Sequence, residues 1–397
     1  MKQIFSFTFT SYSFFPILAG IFYVIRSYCF FFFNKDNYKP SLIFQIVLLE
    51  FGMFLSFILE LINIYRQISE KFGFKSEIKK WIEKYKELKI IGAMFCCGFF
   101  DFIGVFLTYL ILREGKDNQH LSSLMRITEF FFVSFMYYYF LKKKLKFHQY
   151  VSLCFIVLGL IFVFLKGIYT ISSTIIFCII GNLSYASLEI VYNWLMESKY
   201  VSSYELVAIS GFFGCVVGTI FSLIFSVVHC DTLFFKCENV YKYVTNYKEE
   251  IGEIFSSSNH LIEVGAYVFF SLCYNTFHFL TNKHLSPTHR IISDSVSSLM
   301  TFTVTVITKG NEATTWFILL QIVGHILIIF GILVYNELMI VHVCGMDENT
   351  NKEIQGRATK ETQEGEGDVS LLPVEERSNS VSPLPEKDNP AYNNSLC

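Results

Sequence analysis

Apolar stretches about 20 residues long recur along the first 343 residues, and this repetition constrains the fold more than any other feature. Such a stretch is the length a helix needs to cross the hydrocarbon core of a bilayer. With 53% hydrophobic and 17% charged residues, the chain has more apolar surface than one soluble core could hide. The stretches are too long, and alternate too little, to be barrel strands. We therefore predict an all-α polytopic membrane protein.

Ten transmembrane segments are predicted, five in residues 1–167 (the first half) and five in residues 168–343 (the second half). Those of the first half are Ile4 to Ile25, Ser41 to Ile64, Leu88 to Leu112, Leu121 to Leu141 and Tyr150 to Leu165. Those of the second half are Ile171 to Leu195, Leu206 to Val228, Leu261 to Leu280, Ile291 to Ile307 and Thr314 to Val334, with an extension to Val343 left open. Residues 344–397 lose the apolar pattern and are predicted to be a disordered cytosolic tail.

An internal repeat links the two halves. His120–Ser122 followed by Arg126–Ile127 recurs as His284–Ser286 followed by Arg290–Ile291, at a constant offset of 164 residues. Both copies begin the fourth segment of their half. Five segments per half make the two copies enter the membrane from opposite sides, so the prediction is two inverted five-helix repeats, an architecture of alternating-access transporters.

The Lys and Arg residues of the connections set the predicted orientation. The connection at 66–89 and the run from Lys142 to Lys146 place most of the positive charge on one side, which is predicted to be cytosolic. Arg26, Lys35 and Lys39 fall in the first connection on the opposite side. The bias is moderate and puts both termini in the cytosol.

Polar side chains at membrane depth are the candidate site, because an ionisable group there costs about 2.5–3.5 kcal/mol on insertion scales. The residues predicted for substrate binding or gating are Asp101, Arg126, Glu129, Glu189, Asn275, Arg290 and Asp294. Spacings of three and four residues place Arg126 with Glu129, and Arg290 with Asp294, on shared helix faces, so each half brings one Arg and one acid. The alternative is that both Arg residues extend to the lipid head groups and that their acids pair with them there.

Other chemistry has no residues to support it. A P-loop, a paired Cys-x-x-Cys, metal-spaced His residues and a nucleophile elbow are all missing from the sequence, so we expect neither an enzyme nor a cofactor or metal site. A net charge of −2 gives no sign of a nucleic-acid partner. Cys230 and Cys237 flank a polar loop and could form a disulfide if that loop faces an oxidising lumen.

The tail carries two short patterns typical of sorting signals. One is an Asp-x-x-Leu-Leu pattern and the other an Asn-Pro-x-Tyr pattern, formed by Asp368, Leu371 and Leu372 and by Asn389, Pro390 and Tyr392. On a cytosolic tail they predict clathrin-adaptor-type partners and traffic among Golgi, endosome, lysosome and plasma membrane.

Several of these features together resemble a known family. The stretch from Asp101 through Arg126, the run ending at Lys146, and the pattern 288–295 that contains Arg290 and Asp294 are similar to the EamA-like drug/metabolite transporter superfamily, and within it to subgroup F of solute carrier family 35. The resemblance implies ten helices in two inverted halves around a central cavity. Glu129 and 130–132 depart from the pattern, since smaller residues are common there.

The predicted function is therefore a secondary transporter of a small polar or anionic solute on an intracellular membrane. A nucleotide-sugar exchanger is the alternative within transport, and a non-transporting membrane scaffold or receptor is the alternative outside it. A homodimer stays open. The predicted partners are the solute, the lipid bilayer and the adaptor proteins.

Overall fold

A computed structural model describes most of the helical part of the chain. The described residues are 5–7, 11–32, 40–70, 87–113, 119–140, 145–164, 172–199, 201–228, 247–285, 287–309, 315–342, 346 and 350. Within these ranges the fold is all-α apart from one short antiparallel pair of strands, β1 (Phe5–Phe7) and β2 (Met339–Val341).

The described helices follow the order of the predicted apolar segments, but they number twelve and not ten, because one segment is divided and the short helix Tyr247–Ser256 lies outside every predicted segment. They are α1 (Phe14–Phe32), α2 (Leu42–Phe54), α3 (Phe57–Glu70), α4 (Leu88–Arg113), α5 (Gln119–Phe140), α6 (Phe147–Phe164), α7 (Ser172–Lys199), α8 (Ser203–Phe225), α9 (Tyr247–Ser256), α10 (Ser258–His284), α11 (Pro287–Lys309) and α12 (Thr315–Tyr335). A break at 55–56 divides the second predicted segment into α2 and α3. Local sequence explains some boundaries: Ser202 and Glu205 form a capping box at the start of α8.

Six stretches among the described residues are long and apolar enough to cross a membrane. They are Ser11–Cys29, Leu42–Arg66, Leu88–Leu110, Ile176–Met196, Ser203–Phe225 and Ile318–Tyr335, and Phe147–Val163 is a shorter apolar helix. The coarse prediction of a multi-span all-α membrane protein is thus confirmed, whereas ten spans do not follow from apolarity alone. The remaining long helices, α5, α10 and α11, are the more polar ones, and they carry most of the candidate residues.

Large apolar side chains cover the outside of the helices. Leu61, Phe135, Ile161, Leu223 and Ile326 are all between 49% and 67% exposed. Single exposed apolar residues are ordinary on soluble proteins, but such extensive coverage is typical of a surface that contacts lipid.

Both ends of the helical region differ from the prediction. The first helix was expected over Ile4 to Ile25 but begins at Phe14 and extends to Phe32, because residues 5–7 form β1. The last helix ends at Tyr335, so the extension to Val343 is wrong: Glu337 adopts a left-handed conformation (φ 56°) that stops the helix before β2. The strand pairing brings the two ends of the helical region to the same end of the bundle.

The helices of the bundle pack against one another in pairs. The most extensive contacts join α6 to α12, α1 to α10 and α11, α4 to α7 and α8, α2 to α8 and α10, and α5 to α7 and α11. The largest apolar core lies among α2, α4, α7 and α8, where Ile46, Phe102, Tyr192 and Val207 are at most 1% exposed. Each of these pairs joins a helix of the first half to one of the second.

Two glycines allow α6 and α12 to approach closely. A Cβ atom added to Gly159 would lie 2.6 Å from the carbonyl oxygen of Gly324, and one added to Gly324 would lie 2.8 Å from the carbonyl oxygen of Gly159. Both distances are shorter than real Cβ contacts allow, so the close packing of these helices depends on glycine at both positions.

Candidate functional site

An arginine held between two carboxylates lies in the interior of the bundle. Arg290, in the first turn of α11, forms an ion pair through Nη1 with Oε1 of Glu189 on α7. Its Nη2 lies 3.8 Å from Oε1 of Glu129 on α5. All three side chains are at most 6% exposed, so the charges compensate one another inside the protein rather than in water.

A second layer of contacts fixes this cluster. Asn282 on α10 donates a hydrogen bond from Nδ2 to Oε2 of Glu189 at 2.8 Å. The ring of Tyr185 lies 5.9 Å from Cζ of Arg290. Glu189 is therefore held from two sides by charge-assisted contacts, which restrict its rotamer as well as its charge.

The cluster borders a central cavity between the helices. Arg26 on α1, Leu49 on α2, Asp101 on α4, Tyr185 on α7, Tyr274 on α10 and Arg290 on α11 each contribute to its wall. The room available to the centre of a water molecule is about 20 Å³, whereas roughly 10–15 Å³ by this measure holds one water. An organic solute would fit only after some of these six helices move apart.

The structure brings several predicted site residues together here. Asp101, Glu189, Asn275 and Arg290 line the cavity, and Glu129 reaches the cluster through Arg290. The Nδ2 group of Asn275 donates to the backbone oxygen of Ser271 at 2.9 Å. Five helices thus bring polar groups to this region.

The side chain of Arg126 lies outside the described residues, so its predicted pairing with Glu129 stays a prediction. Glu129 lies beside Arg290 of the other half, and Arg290 also pairs with Glu189. Asp294 is 1% exposed, one turn beyond Arg290 on α11, and is not among the described residues that line the cavity. The cluster therefore links the two halves through Arg290 and Glu129.

Two further acids of the second segment have different surroundings. Glu60 accepts a hydrogen bond from the hydroxyl of Ser202 at 2.6 Å, which is a structural contact next to the start of α8. Glu50 is fully buried and its carboxylate packs against Gly214, where a Cβ atom would collide with it. Glu50 interacts electrostatically with Asp101 of the cavity wall.

Arg26 is the residue that the sequence interpretation missed. It was assigned to a connection, because the first segment was expected to end at Ile25. The helix continues to Phe32, and Arg26 is 3% exposed in the cavity wall. The signal was available: Tyr28 and Cys29 and the Phe residues after them continue the apolar pattern of α1 beyond Arg26.

Some predicted residues lie outside the described part of the chain. These are the side chain of Arg126, the cysteines Cys230 and Cys237, and the tail residues Asp368, Leu371, Leu372, Asn389, Pro390 and Tyr392. The disulfide and the sorting signals stay predictions from the sequence.

Comparisons with known proteins give a fold and no family. No protein-family model and no curated protein matches the chain. Among solved structures, 27 chains are similar. One, described only as the crystal structure of a protein, matches with a TM-score of 0.53 and 9% identity over 83% of this chain and 98% of its own. The chain is a multi-span, all-α membrane protein. At this identity the likeness shows the fold alone, and it extends over nearly the whole of the matched chain.

Proposed function

We propose that the chain is a secondary transporter that carries a small polar or anionic solute across an intracellular membrane by alternating access. Its two halves, residues 1–167 and 168–343, would be inverted five-helix repeats that move against each other around the central cavity. Transporters of this architecture bind their solutes near the middle of the membrane, at the interface of the repeats.

The observation that carries this proposal is the symmetry of the helix contacts. The five long helices of each half can be paired in chain order: α1, α2, α4, α5 and α6 correspond to α7, α8, α10, α11 and α12. Under this correspondence, the contact of α1 with α10 becomes the contact of α7 with α4. The same exchange relates α4–α8 to α2–α10 and α1–α11 to α5–α7, and it maps α2–α8, α5–α11 and α6–α12 onto themselves. Every one of the most extensive contacts has its counterpart, as a twofold repeat requires.

The glycine contact supports the same relation at the level of residues. A Cβ on Gly159 would meet Ile328, and a Cβ on Gly324 would meet Val163. Adding 165 to Gly159 and to Val163 gives Gly324 and Ile328. The offset is within one residue of that of the sequence repeat containing Arg126 and Arg290.

The charged cluster supports transport over a scaffold or receptor. Arg290 from the second half is held by Glu129 from the first half, so a movement of the halves must rearrange the pair. A scaffold has no need for such buried charges, whose desolvation can exceed their mutual attraction. The small cavity volume corresponds to a closed conformation, the intermediate that alternating access requires.

Solute uptake by the purified full chain in proteoliposomes tests the proposal. The panel would contain amino acids, organic anions and nucleotide sugars, with empty liposomes as the background. We expect saturable uptake of at least one solute, lost in a variant with Arg290→Gln, Glu129→Gln and Glu189→Gln combined. Absence of uptake for the whole panel, with protein that is folded and inserted, would favour the scaffold or receptor.

A further inference from the structure

Arg26 is a buried cation, and two of its donor atoms find no acceptor in the part of the chain that the structure describes. Its side chain is 3% exposed, and its Nε and Nη1 atoms have no hydrogen-bond acceptor among the described residues. An ionised donor buried without an acceptor is costly, and native proteins seldom retain one without a reason. Because Arg26 also lines the central cavity, these N–H groups are placed where a bound molecule would meet them.

Two tyrosines hold the guanidinium group through their rings. Its Cζ lies 4.9 Å from the ring centroid of Tyr23 on α1 and 4.9 Å from that of Tyr274 on α10. Ring faces offset part of the positive charge, but they do not accept hydrogen bonds in the plane of the guanidinium. The group is thereby oriented while its N–H donors stay available for an acceptor.

The remaining charges of the cavity limit what that acceptor can be. Glu189 and Glu129 already hold the two terminal nitrogens of Arg290, and of its donor atoms Nε lacks an acceptor among the described residues. Arg26 has two such donor atoms, Nε and Nη1, and no carboxylate among the described residues holds it in an ion pair. Asp101 shares the same wall, so among the described residues Asp101, Glu189 and Glu129 are three acids beside two arginines. A solute with several negative charges would add to this excess of acid, whereas one carboxylate is balanced by Arg26.

We propose that Arg26 binds the carboxylate of a small organic solute that carries at most one net negative charge. This inference adds a chemical class for the solute, and it rests on the proposed function for the claim that the solute is transported. The carboxylate accepts charge-assisted hydrogen bonds from the guanidinium, while the rest of the solute contacts Tyr274 and the apolar part of the wall. A simple monocarboxylate and an amino acid both carry the required group, and nucleotide sugars do not fit it.

Calorimetric binding to the purified full chain in detergent tests this with four probes. Benzoate and benzamide have the same shape and differ in charge, phenylalanine adds an ammonium group, and uridine diphosphate glucose represents the nucleotide sugars. We expect benzoate, phenylalanine or both to bind at least tenfold more tightly than benzamide. Benzoate alone indicates a monocarboxylate solute, and phenylalanine alone indicates an amino acid.

Variants of Arg26 separate binding from a structural role. Arg26→Gln should reduce carboxylate binding at least tenfold and leave benzamide binding unchanged, and Arg26→Lys should retain part of it. Arg66→Gln, the same change at an exposed position, is the matched control. If Arg26 has only a structural role, Arg26→Gln should lower the unfolding temperature and weaken the binding of all probes equally. If Arg26→Gln does not fold, the same comparison is made with Arg26→Lys. Equal affinity for benzoate and benzamide, no carboxylate binding at all, or tight binding of uridine diphosphate glucose through Arg26 would overturn the proposal.

Uptake by the same variants distinguishes failure of the site from failure of the transporter. Carboxylate binding that depends on Arg26, without uptake of any probe, would reject transport and keep the site. Uptake of neutral solutes that Arg26→Gln does not change would keep transport and reject the site.

Discussion

The polar centre and the contact between α6 and α12 join the same two halves by opposite means. In the centre, Arg290 reaches across to Glu129 and is held by Glu189, and the contact depends on the balance of charges. Between α6 and α12, Gly159 and Gly324 meet backbone to backbone, and the contact depends on the absence of side-chain volume.

The difference indicates how each region responds to change. Side chains of the centre can rotate and exchange partners as long as the charges stay compensated. The glycine contact has no side chains to rotate, so it resists any added atom. Changes of charge should therefore damage the centre, and changes of volume should damage the glycine contact.

The largest effect is expected from removing one charge of the centre. Arg290→Gln leaves Glu129 and Glu189 buried without their cation, and breaking a buried ion pair in this way costs about 3–5 kcal/mol. We expect little folded protein, measured as the monodisperse fraction and the unfolding temperature in detergent. Adding Glu129→Gln and Glu189→Gln should restore folding but not uptake, because the charges are then removed together.

Two comparisons make this prediction specific. Arg66→Gln changes the same residue type at an exposed position and should leave stability unchanged. Arg26→Gln removes a buried cation that has unused donors, so it should be tolerated much better than Arg290→Gln. If Arg290→Gln were as stable as the unchanged protein, the cluster would not be what holds the polar centre together.

A smaller effect is expected at Glu250, a buried carboxyl outside the membrane-spanning segments that is held by a backbone group and by no cation of the described residues. It lies on α9 and accepts a hydrogen bond from the backbone N–H of Ser41, the N-cap of α2, at 2.9 Å. Burial raises the pKa of Glu250 from 4.5 to about 7, and the hydrogen bonds from Ser41 oppose that change only in part. Nearby Glu253 raises the pKa further.

The sign of the pH dependence follows from the raised pKa. Between pH 4.5 and about 7 the folded protein keeps a proton on Glu250 that the unfolded chain has lost, so this group lowers stability as the pH rises through that window. The shift corresponds to about 3 kcal/mol at most. Unfolding temperatures measured from pH 5 to 8 should fall with pH, and Glu250→Gln should flatten the curve. An unchanged slope in that variant would assign the dependence to other groups.

The apolar pattern of the sequence predicts most of the helices, because a bilayer demands long apolar runs and leaves few alternatives. The apolar pattern fails at the two ends of the helical region. There β1 and β2 pair with each other, although they lie more than 330 residues apart in the sequence, and this pairing competes with helix formation. No local pattern can reveal such a pairing, so the first helix was placed too early and the last was extended too far.

The sequence indicates which residue types belong to the candidate site, but it does not indicate which side chains pair with one another. Asp101, Glu189 and Arg290 stand out because ionisable groups are expensive in hydrocarbon. Helical spacing suggests pairs within one helix, such as Arg290 with Asp294, whereas Glu129 and Glu189 reach Arg290 from other helices. Arg26 was missed because the error at the start of α1 moved it from the interior to a connection.

The smallest effects are expected at the glycine contact, where they also test the equivalence of the halves. An alanine Cβ at Gly159 would lie 2.6 Å from the carbonyl oxygen of Gly324, and one at Gly324 would lie 2.6 Å from Cγ2 of Val163. Since backbone cannot yield as a flexible side chain does, α6 and α12 must separate, at a cost of about 1–3 kcal/mol for each substitution. Gly265→Ala on α10, where a Cβ would meet nothing within 4 Å, is the matched control and should be neutral or slightly stabilising. Unfolding temperatures of the three variants in detergent give the comparison. Similar losses for Gly159→Ala and Gly324→Ala are what a twofold relation between the halves requires, and a loss at only one of them would argue against that relation.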